Sequence, residues 1–117
     1  MKPAPIKSTI TVQDLEKIDV RVGTIESVEE IEGADELMKL SVDFGDLRRQ
    51  VLAGLKKERE DPRELVGKQA LFVVNLRPRR MRGELSEAML FDIGYADGIR
   101  PRLAVPEEAV PNGARAG

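Results

Sequence analysis

Short runs of apolar residues, each ended by a glycine, constrain the fold of this chain most. Residues 18–22 and 38–44 alternate apolar with polar side chains, and a third run, 49–53, stops at a glycine. A period of two is typical of half-buried strands, and the glycines favour turns between them. Gly23 interrupts the first run, which resumes out of phase. A glycine inside a strand often marks a bulge or bend, which a small barrel needs at its corners.

One short helix is predicted between the third and fourth strands. Asp61 is a suitable N-cap, Pro62 occupies the first helical position, and Gly67 ends the segment. The continuous apolar run 71–76 then predicts a strand buried on both faces, and a fifth strand is predicted over 87–93.

Both ends of the chain are predicted to be extended. Residues 1–13 contain two prolines and form an N-terminal arm, with a cap for one helical turn at Thr11. Residues 98–117 contain three prolines and predict extended segments and turns. The complete order predicts an all-β fold, a five-stranded Greek-key barrel of the OB type with a short helix between strands 3 and 4 and an extended C-terminal segment. Residues 14–117 then form one domain that includes this segment.

The composition excludes most catalytic sites. The 117 residues include no Cys and no His, so thiol nucleophiles, zinc–thiolate sites and Ser-His-Asp triads are ruled out. The glycines form no G-x-G-x-x-G pattern, and Gly67-Lys68 lacks the upstream glycine of a phosphate-binding loop. The acidic stretch 26–36 lacks the loop pattern of a calcium site. The sequence therefore predicts a binding protein, not an enzyme, with no cofactor and no metal.

Nothing in the sequence indicates a membrane protein. No apolar run approaches the ~20 residues that a membrane span requires. The first seven residues, with two lysines and two prolines, lack the apolar stretch of a secretory signal. We therefore expect a cytoplasmic protein.

Charges are segregated along the chain although the net charge is only −2. Residues 26–36 contain six acids and no base, residues 47–59 contain five bases and one acid, and residues 77–82 contain four arginines and no acid. Such segregation can create one positive face, and the local field, more than the total charge, steers a polyanion.

The arginine-rich segment directly follows the predicted buried strand, so we expect a loop that leaves the barrel. Guanidinium groups bind phosphate oxygens bidentately, and the chain has 12 Arg against 7 Lys. A solvated loop without a ligand would carry the same charges. The absence of acids inside the run favours a phosphate-binding role for its four members, Arg77, Arg79, Arg80 and Arg82.

Two neighbouring segments supply further candidates. Lys56 and Lys57 lie in a second basic loop, which either borders the same ligand face or is ordinary surface. Ser86 and Glu87 can bind base or sugar edges, or fix the adjacent loop through its backbone. Met89 is either a soft packing surface for a base or a core residue.

The aromatic residues are few, three Phe and one Tyr. Phe72 and Phe91 lie in runs that look buried, which leaves Phe44 and Tyr95 as stacking candidates. Proteins that bind single strands nonspecifically use aromatic platforms. This composition instead favours recognition of a folded RNA by shape and phosphate contacts.

Five blocks of sequence, taken together and in order, resemble the tRNA-binding domain family. This module occurs at the C-terminus of methionyl-tRNA synthetases, in cofactors of synthetase complexes, and as small free-standing proteins. The resemblance covers roughly residues 14–117. The blocks are Asp19-Val20-Arg21-Val22-Gly23-Thr24-Ile25, Gly33-Ala34-Asp35-Glu36-Leu37, Val51-Leu52-Ala53-Gly54-Leu55, the 75–83 segment and Ser86-Glu87-Ala88-Met89-Leu90.

The resemblance implies a non-catalytic OB-fold protein that recognises tRNA by shape. It also implies a homodimer whose contacts involve the N- and C-terminal segments. Its RNA-contacting surface corresponds to the 75–83 block, including Asn75, and to the block around Ser86, Glu87 and Met89.

Two branches of the family are represented. The end of the chain, Val110-Pro111-Asn112-Gly113-Ala114-Arg115-Ala116-Gly117, looks like the CsaA export chaperones, whereas residues 51–55 are closer to the synthetase-type domain. The alternative to tRNA binding is therefore a CsaA-like chaperone that binds unfolded or presecretory polypeptides. An aminoacyl-tRNA synthetase is a further candidate partner.

Overall fold

The computed structural model describes residues 2–117, so Met1 of the predicted arm lies outside it. The chain is mostly β. The helical elements are one α-helical turn, α1, and two 3-10 turns; they span Val12–Leu15, Pro62–Leu65 and Tyr95–Asp97. The strands, β1 to β10 in chain order, are Val20–Glu30, Met38–Asp43, Arg48–Ala53, Gln69–Val73, Arg79–Met81, Glu84–Ser86, Met89–Leu90, Asp92–Ile93, Arg102–Leu103 and Arg115–Ala116.

The main sheet is antiparallel, in the order β3-β2-β1-β4-β7, with β10 added to β1. It curls so strongly that its ends approach each other. Across the gap, the Leu52 backbone N–H donates to Ser86 Oγ at 3.1 Å, and the Glu87 N–H donates to the Gln50 carbonyl at 2.8 Å. This half-barrel agrees with an OB-like fold.

The concave side of the sheet encloses the core. In β2 every second residue is buried, as the alternation predicts. Phe44 and Phe72 meet edge to face inside, with ring centroids 5.4 Å apart. Burying each such side chain stabilises the fold by about 1.5–3 kcal/mol. The fully enclosed members are Ile25, Met38, Leu40, Val42, Val51, Leu55, Leu65 and Phe72.

The predicted irregularity in the first strand is present, at a different residue. β1 continues through Gly23, and its register with β2 shifts between Ile25 and Ser27. This shift explains why Val28 is buried three residues after Ile25. Gly23 is needed for another reason, since a Cβ there would lie 2.5 Å from Val42 Cγ1.

Both predicted helical turns form. The Asp61 side chain accepts a hydrogen bond from the Arg63 N–H, and Pro62 begins the turn that buries Leu65 under the sheet. Thr11 and Asp14 form the capping box of α1.

The last two predicted strands differ from expectation. β4 is shifted towards the N-terminus and ends at Val73, so Leu76 is exposed. The predicted fifth strand, 87–93, is split: β7 pairs with β4, and β8 turns away to pair with β9. This change of partner turns Phe91, between the two short strands, outward.

An acidic side chain fastens the C-terminal strand. The Asp19 carboxylate accepts hydrogen bonds from Arg21 Nε at 2.8 Å and from Arg115 Nε at 3.2 Å. The hydrogen bonds from Arg21 and Arg115, only partly offset by burial, lower the pKa of Asp19 from 3.8 to about 2. The carboxylate therefore helps to hold β10 against β1.

Candidate nucleic-acid interface

The arginine-rich segment is not a loop but a β-hairpin. β5 and β6 pair with Arg80 opposite Leu85, and Arg82-Gly83 forms the two-residue turn with φ angles of 51° and 78°. Two consecutive positive φ values are typical of the type I′ turn that suits hairpins. The Arg82-Gly83 dipeptide, which lies between two short strand segments, is the sequence signal for this turn.

The hairpin does not gather its arginines on one face. Arg79 points with Met81 into an apolar groove, and strand alternation places Arg80 on the opposite face. Arg77 lines a separate cleft, and Arg82 lies at the turn. The expected single positive face is therefore a ridge with arginines on both sides.

These four side chains are exposed; three belong to the hairpin and Arg77 precedes it by two residues, and together they are hereafter called the hairpin arginines. Within residues 2–117 none of them pairs with a carboxylate. Arg80 donates one hydrogen bond, to the Gly83 carbonyl at 3.3 Å. Their charges are thus available to a ligand.

The loop lysines, Lys56 and Lys57, are engaged. Lys56 Nζ donates to the Ala34 carbonyl at 3.0 Å and lies 3.5 Å from the Glu30 carboxylate. Lys57 Nζ lies 3.0 Å from Glu36, which raises the pKa of Lys57. Lys57 also lines the groove that Arg79 enters, so the two basic segments meet there.

Three predicted contact residues bind the protein's own backbone. Asn75 accepts from the Asp19 N–H at 2.8 Å and donates to the Lys17 carbonyl at 2.6 Å. Ser86, 7% exposed, accepts from the Leu52 N–H and donates to the Ala88 carbonyl. Glu87 Oε1 accepts from the Gln50 N–H at 3.0 Å. These hydrogen bonds are of the backbone-fixing kind considered for Ser86 and Glu87, and contact of the three side chains with RNA stays a prediction.

The exposed aromatic side chains differ in part from those that the sequence predicts, and two of them, Phe91 and Tyr95, line the apolar groove. Phe91 was expected to be buried and is 45% exposed, whereas Phe44, a stacking candidate, is 5% exposed in the core. Met89 and Tyr95 are 47% and 75% exposed and line the same groove, whose volume is about 870 Å³.

The groove also contains carboxylates. Glu36, Glu58 and Asp92 line it beside Lys57 and Arg79. Burial raises the pKa of the Glu58 carboxyl, and repulsion from Asp92 adds to the rise. The three carboxylates outnumber the two cations, so the interior of the groove is less favourable for a phosphate than the exposed ridge of the hairpin.

A second cleft, the Arg49 cleft, has the opposite character. It lies between the ends of β3 and β4, has a volume of about 590 Å³, and contains Arg49 and Arg77. Leu76 and Pro78 form an apolar shelf in it, and Glu87 is its one acidic lining residue among those described. Arg49 is not predicted as a site residue from the sequence, because nothing in its strand distinguishes it from Arg48.

No helix within residues 2–117 has the length and apolar character to cross a bilayer. The same residues hold no group of three or more acidic side chains placed to bind a metal.

Comparison with solved structures identifies similar proteins. A methionyl-tRNA-synthetase-related protein from Pyrococcus horikoshii is 35% identical, with a TM-score of 0.86, over 95% of this chain and 100% of that one. The chaperone CsaA from Bacillus anthracis is 30% identical, with a TM-score of 0.80, over 94% and 100%. The CsaA chaperone from Picrophilus torridus is 29% identical, with a TM-score of 0.79, over 93% and 100%.

The family model described as "Putative tRNA binding domain" matches residues 20–115. The match spans β1 through the beginning of β10 and includes the hairpin, the groove and the Arg49 cleft. Members of this family, CsaA-like proteins included, are generally non-catalytic binding proteins. The chain belongs to the tRNA-binding domain family.

Proposed function

We propose that this protein binds tRNA without catalysing a reaction, in the cytoplasm, and that it recognises the shape of the folded RNA through the hairpin. The observation that carries the proposal is the set of four exposed arginines without carboxylate partners. A ridge with arginines on both sides can contact phosphates on two backbone segments. Binding of that kind depends on the spacing of phosphates, more than on base identity.

The test is the salt dependence of tRNA affinity, measured by fluorescence anisotropy. Each neutralised phosphate contributes about 0.7–0.9 to the slope of log affinity against log salt. Replacing Arg79 and Arg80 by Ala is expected to reduce the slope by about 1.4–1.8. The matched control replaces Arg48 and Arg63, which changes the net charge equally. Equal losses in the two variants would refute a specific role for the hairpin.

We further infer that the curled sheet is the five-stranded OB barrel of the sequence analysis. Two hydrogen bonds between the Gln50–Leu52 and Ser86–Glu87 segments support closure. If the barrel closes there, the backbone amides of Leu52 and Glu87 should be among the slowest to exchange with solvent.

The same proposal includes a homodimer. Val12, Leu15 and Ile18 are half or more exposed, and with Ala116 they line a cleft of about 610 Å³ beside the edge strand β10. Exposed apolar side chains clustered at a strand edge favour a protein–protein contact. Two copies would bring two hairpins to one RNA and raise the avidity.

Light scattering tests the dimer. Replacing Leu15 and Ile18 by Glu is expected to yield a monomer. Val66, 48% exposed in another region, supplies the control Val66→Glu. A wild-type mass of one chain at micromolar concentration would refute the dimer.

A polypeptide-binding role is the second candidate, because the groove is apolar and rich in carboxylates. Such a groove suits an extended apolar polypeptide segment that carries a basic side chain. The replacement Phe91→Ala with Tyr95→Ala should weaken binding of such a peptide and leave tRNA affinity unchanged. Peptide affinity should vary less with salt than tRNA affinity, because apolar contacts supply most of it and only one basic side chain meets the carboxylates. Loss of tRNA affinity in this variant would instead assign the groove to RNA.

A further inference from the structure

Arg49 differs from the other arginines in how its guanidinium group is held. Its Nη1 donates to the Val74 carbonyl at 2.6 Å and to the Glu87 carbonyl at 3.1 Å. These two bonds use both protons of Nη1 and fix the plane of the group across the ends of β3 and β4.

The other edge of this guanidinium has no protein partner. Among residues 2–117, no acceptor lies within hydrogen-bond distance of Arg49 Nε or Nη2, and no carboxylate oxygen lies within 4.0 Å of the group. Neither nitrogen is a buried atom without a partner. Both nitrogens therefore retain exposure to solvent, and Arg49 lines the Arg49 cleft.

The Nε–Nη2 edge is the one that binds phosphate or carboxylate bidentately. Arg21 and Arg48 use this same edge for Asp19 and Glu26, at 2.8 and 2.6 Å from Nε. Arg49 presents it oriented and without an anion, with Arg77 lining the same cleft. Glu87, the one acid there, already accepts a hydrogen bond from the Gln50 N–H.

We propose that the Arg49 cleft binds one backbone phosphate of the RNA, held bidentately by the Nε–Nη2 edge of Arg49 and assisted by Arg77. The inference rests on the proposed tRNA binding and adds a contact on the sheet, outside the hairpin. A repeating polyanion is favoured over a single carboxylate because two arginines border one cleft. The neutral shelf of Leu76 and Pro78 leaves room for the attached nucleoside.

The test compares Arg49→Lys with Arg48→Lys, two adjacent residues of β3. Both variants keep the charge, but only the first removes an edge that is open to a ligand. tRNA affinity is expected to fall about tenfold in Arg49→Lys, the loss typical of one charge-assisted hydrogen-bond pair. It is expected to change less than about twofold in Arg48→Lys. Circular dichroism and thermal unfolding establish that both variants are folded.

A measurement on the unaltered protein covers the case in which Arg49→Lys does not fold. The Nε–H signals of the arginines are followed by NMR during titration with tRNA and with polyglutamate. A larger shift of the Arg49 signal with tRNA supports the proposal. An equal or larger shift with polyglutamate, or none with tRNA, overturns it.

The outcomes also separate this inference from the function on which it rests. Wild-type tRNA binding with equal affinities for the two lysine variants refutes the Arg49 contact alone. Failure of the wild-type protein to bind tRNA refutes the proposed function, and with it RNA as the source of the phosphate.

Discussion

Two basic segments of this chain look alike in sequence and differ in the folded protein. Residues 47–59 and 77–82 both concentrate positive charge with almost no acid between. In the first, Lys56 and Lys57 lie near Glu30 and Glu36, and Arg48 Nε lies 2.6 Å from Glu26. The hairpin arginines pair with no carboxylate among the described residues.

The difference follows from strand order. β1, β2 and β3 are antiparallel neighbours, so Glu30 at the end of β1 lies near the loop that follows β3, and Glu26 in the middle of β1 lies near Arg48 at the start of β3. The hairpin packs Met81 against Ile31 and Ala34 of the acidic stretch, but among the described residues its arginines form no ion pair with the carboxylates there. Charge along a sequence therefore predicts a binding surface only when the partner strands are known.

The largest expected difference is between two double variants. Arg79→Ala with Arg80→Ala is expected to weaken tRNA binding about 30- to 100-fold at 0.1 M salt, because two phosphate contacts from arginines without ion pairs are lost. Lys56→Ala with Lys57→Ala should weaken it about threefold, since each ammonium must leave its carboxylate to reach a phosphate. Anisotropy titrations at two salt concentrations measure both. Losses of equal size would show that overall charge, not ion pairing, decides the affinity.

Removing the carboxylates of Glu30 and Glu36 tests whether ion pairing limits the affinity of the loop lysines for tRNA. Glu30→Gln with Glu36→Gln releases the loop lysines, and tRNA affinity is expected to rise about tenfold with a steeper salt slope. Glu107→Gln with Glu108→Gln makes the same change in net charge at exposed residues and should raise affinity less than about threefold. If both variants gain equally, the ion pairs have no special influence on binding.

The sequence predicted local structure well, because local structure depends on near neighbours. The alternation in β2 and the caps at Thr11 and Asp61 each reappear as predicted. The hairpin was not predicted, although Arg82-Gly83 is a turn signal, because the charge of this segment carries no information about its backbone.

The candidate site was harder to predict because it depends on contacts between distant segments. Whether Ser86 binds RNA or the backbone of Leu52 depends on a residue 34 positions away. Phe91 is exposed because β7 pairs with β4 whereas β8 pairs with β9. No pattern in residues 87–93 predicts this change of partner strand. Arg49 and Arg48 are identical in type, and only the fold distinguishes them.

The carboxylate of Asp19, which pairs with Arg21 and Arg115, is a further ion-paired site in which the effect of pairing can be measured. The pKa of Asp19 is lowered to about 2, so its stabilising contribution is fully present above its ordinary pKa of 3.8 and is lost as pH falls through about 2. The wild-type protein should lose about 1 kcal/mol of unfolding free energy over this range relative to Asp19→Asn, which has no such titration. Urea unfolding of both proteins between pH 4.5 and 2 measures the difference. A constant difference would mean that the ion pairs of Asp19 with Arg21 and Arg115 do not stabilise the protein.

The smallest expected effect is at the hairpin turn, where stability and binding should move in opposite directions. Arg82 has a φ of 51°, a conformation that costs a long side chain about 1 kcal/mol and that Asn adopts more readily. Arg82→Asn should therefore stabilise the protein by about 0.5 kcal/mol, and should weaken tRNA binding about threefold by removing one cation. Arg82→Lys keeps both the charge and the strain, so neither quantity should change much. A gain in stability without any loss of affinity would place the tip of the hairpin outside the RNA contact and restrict the interface to its two faces.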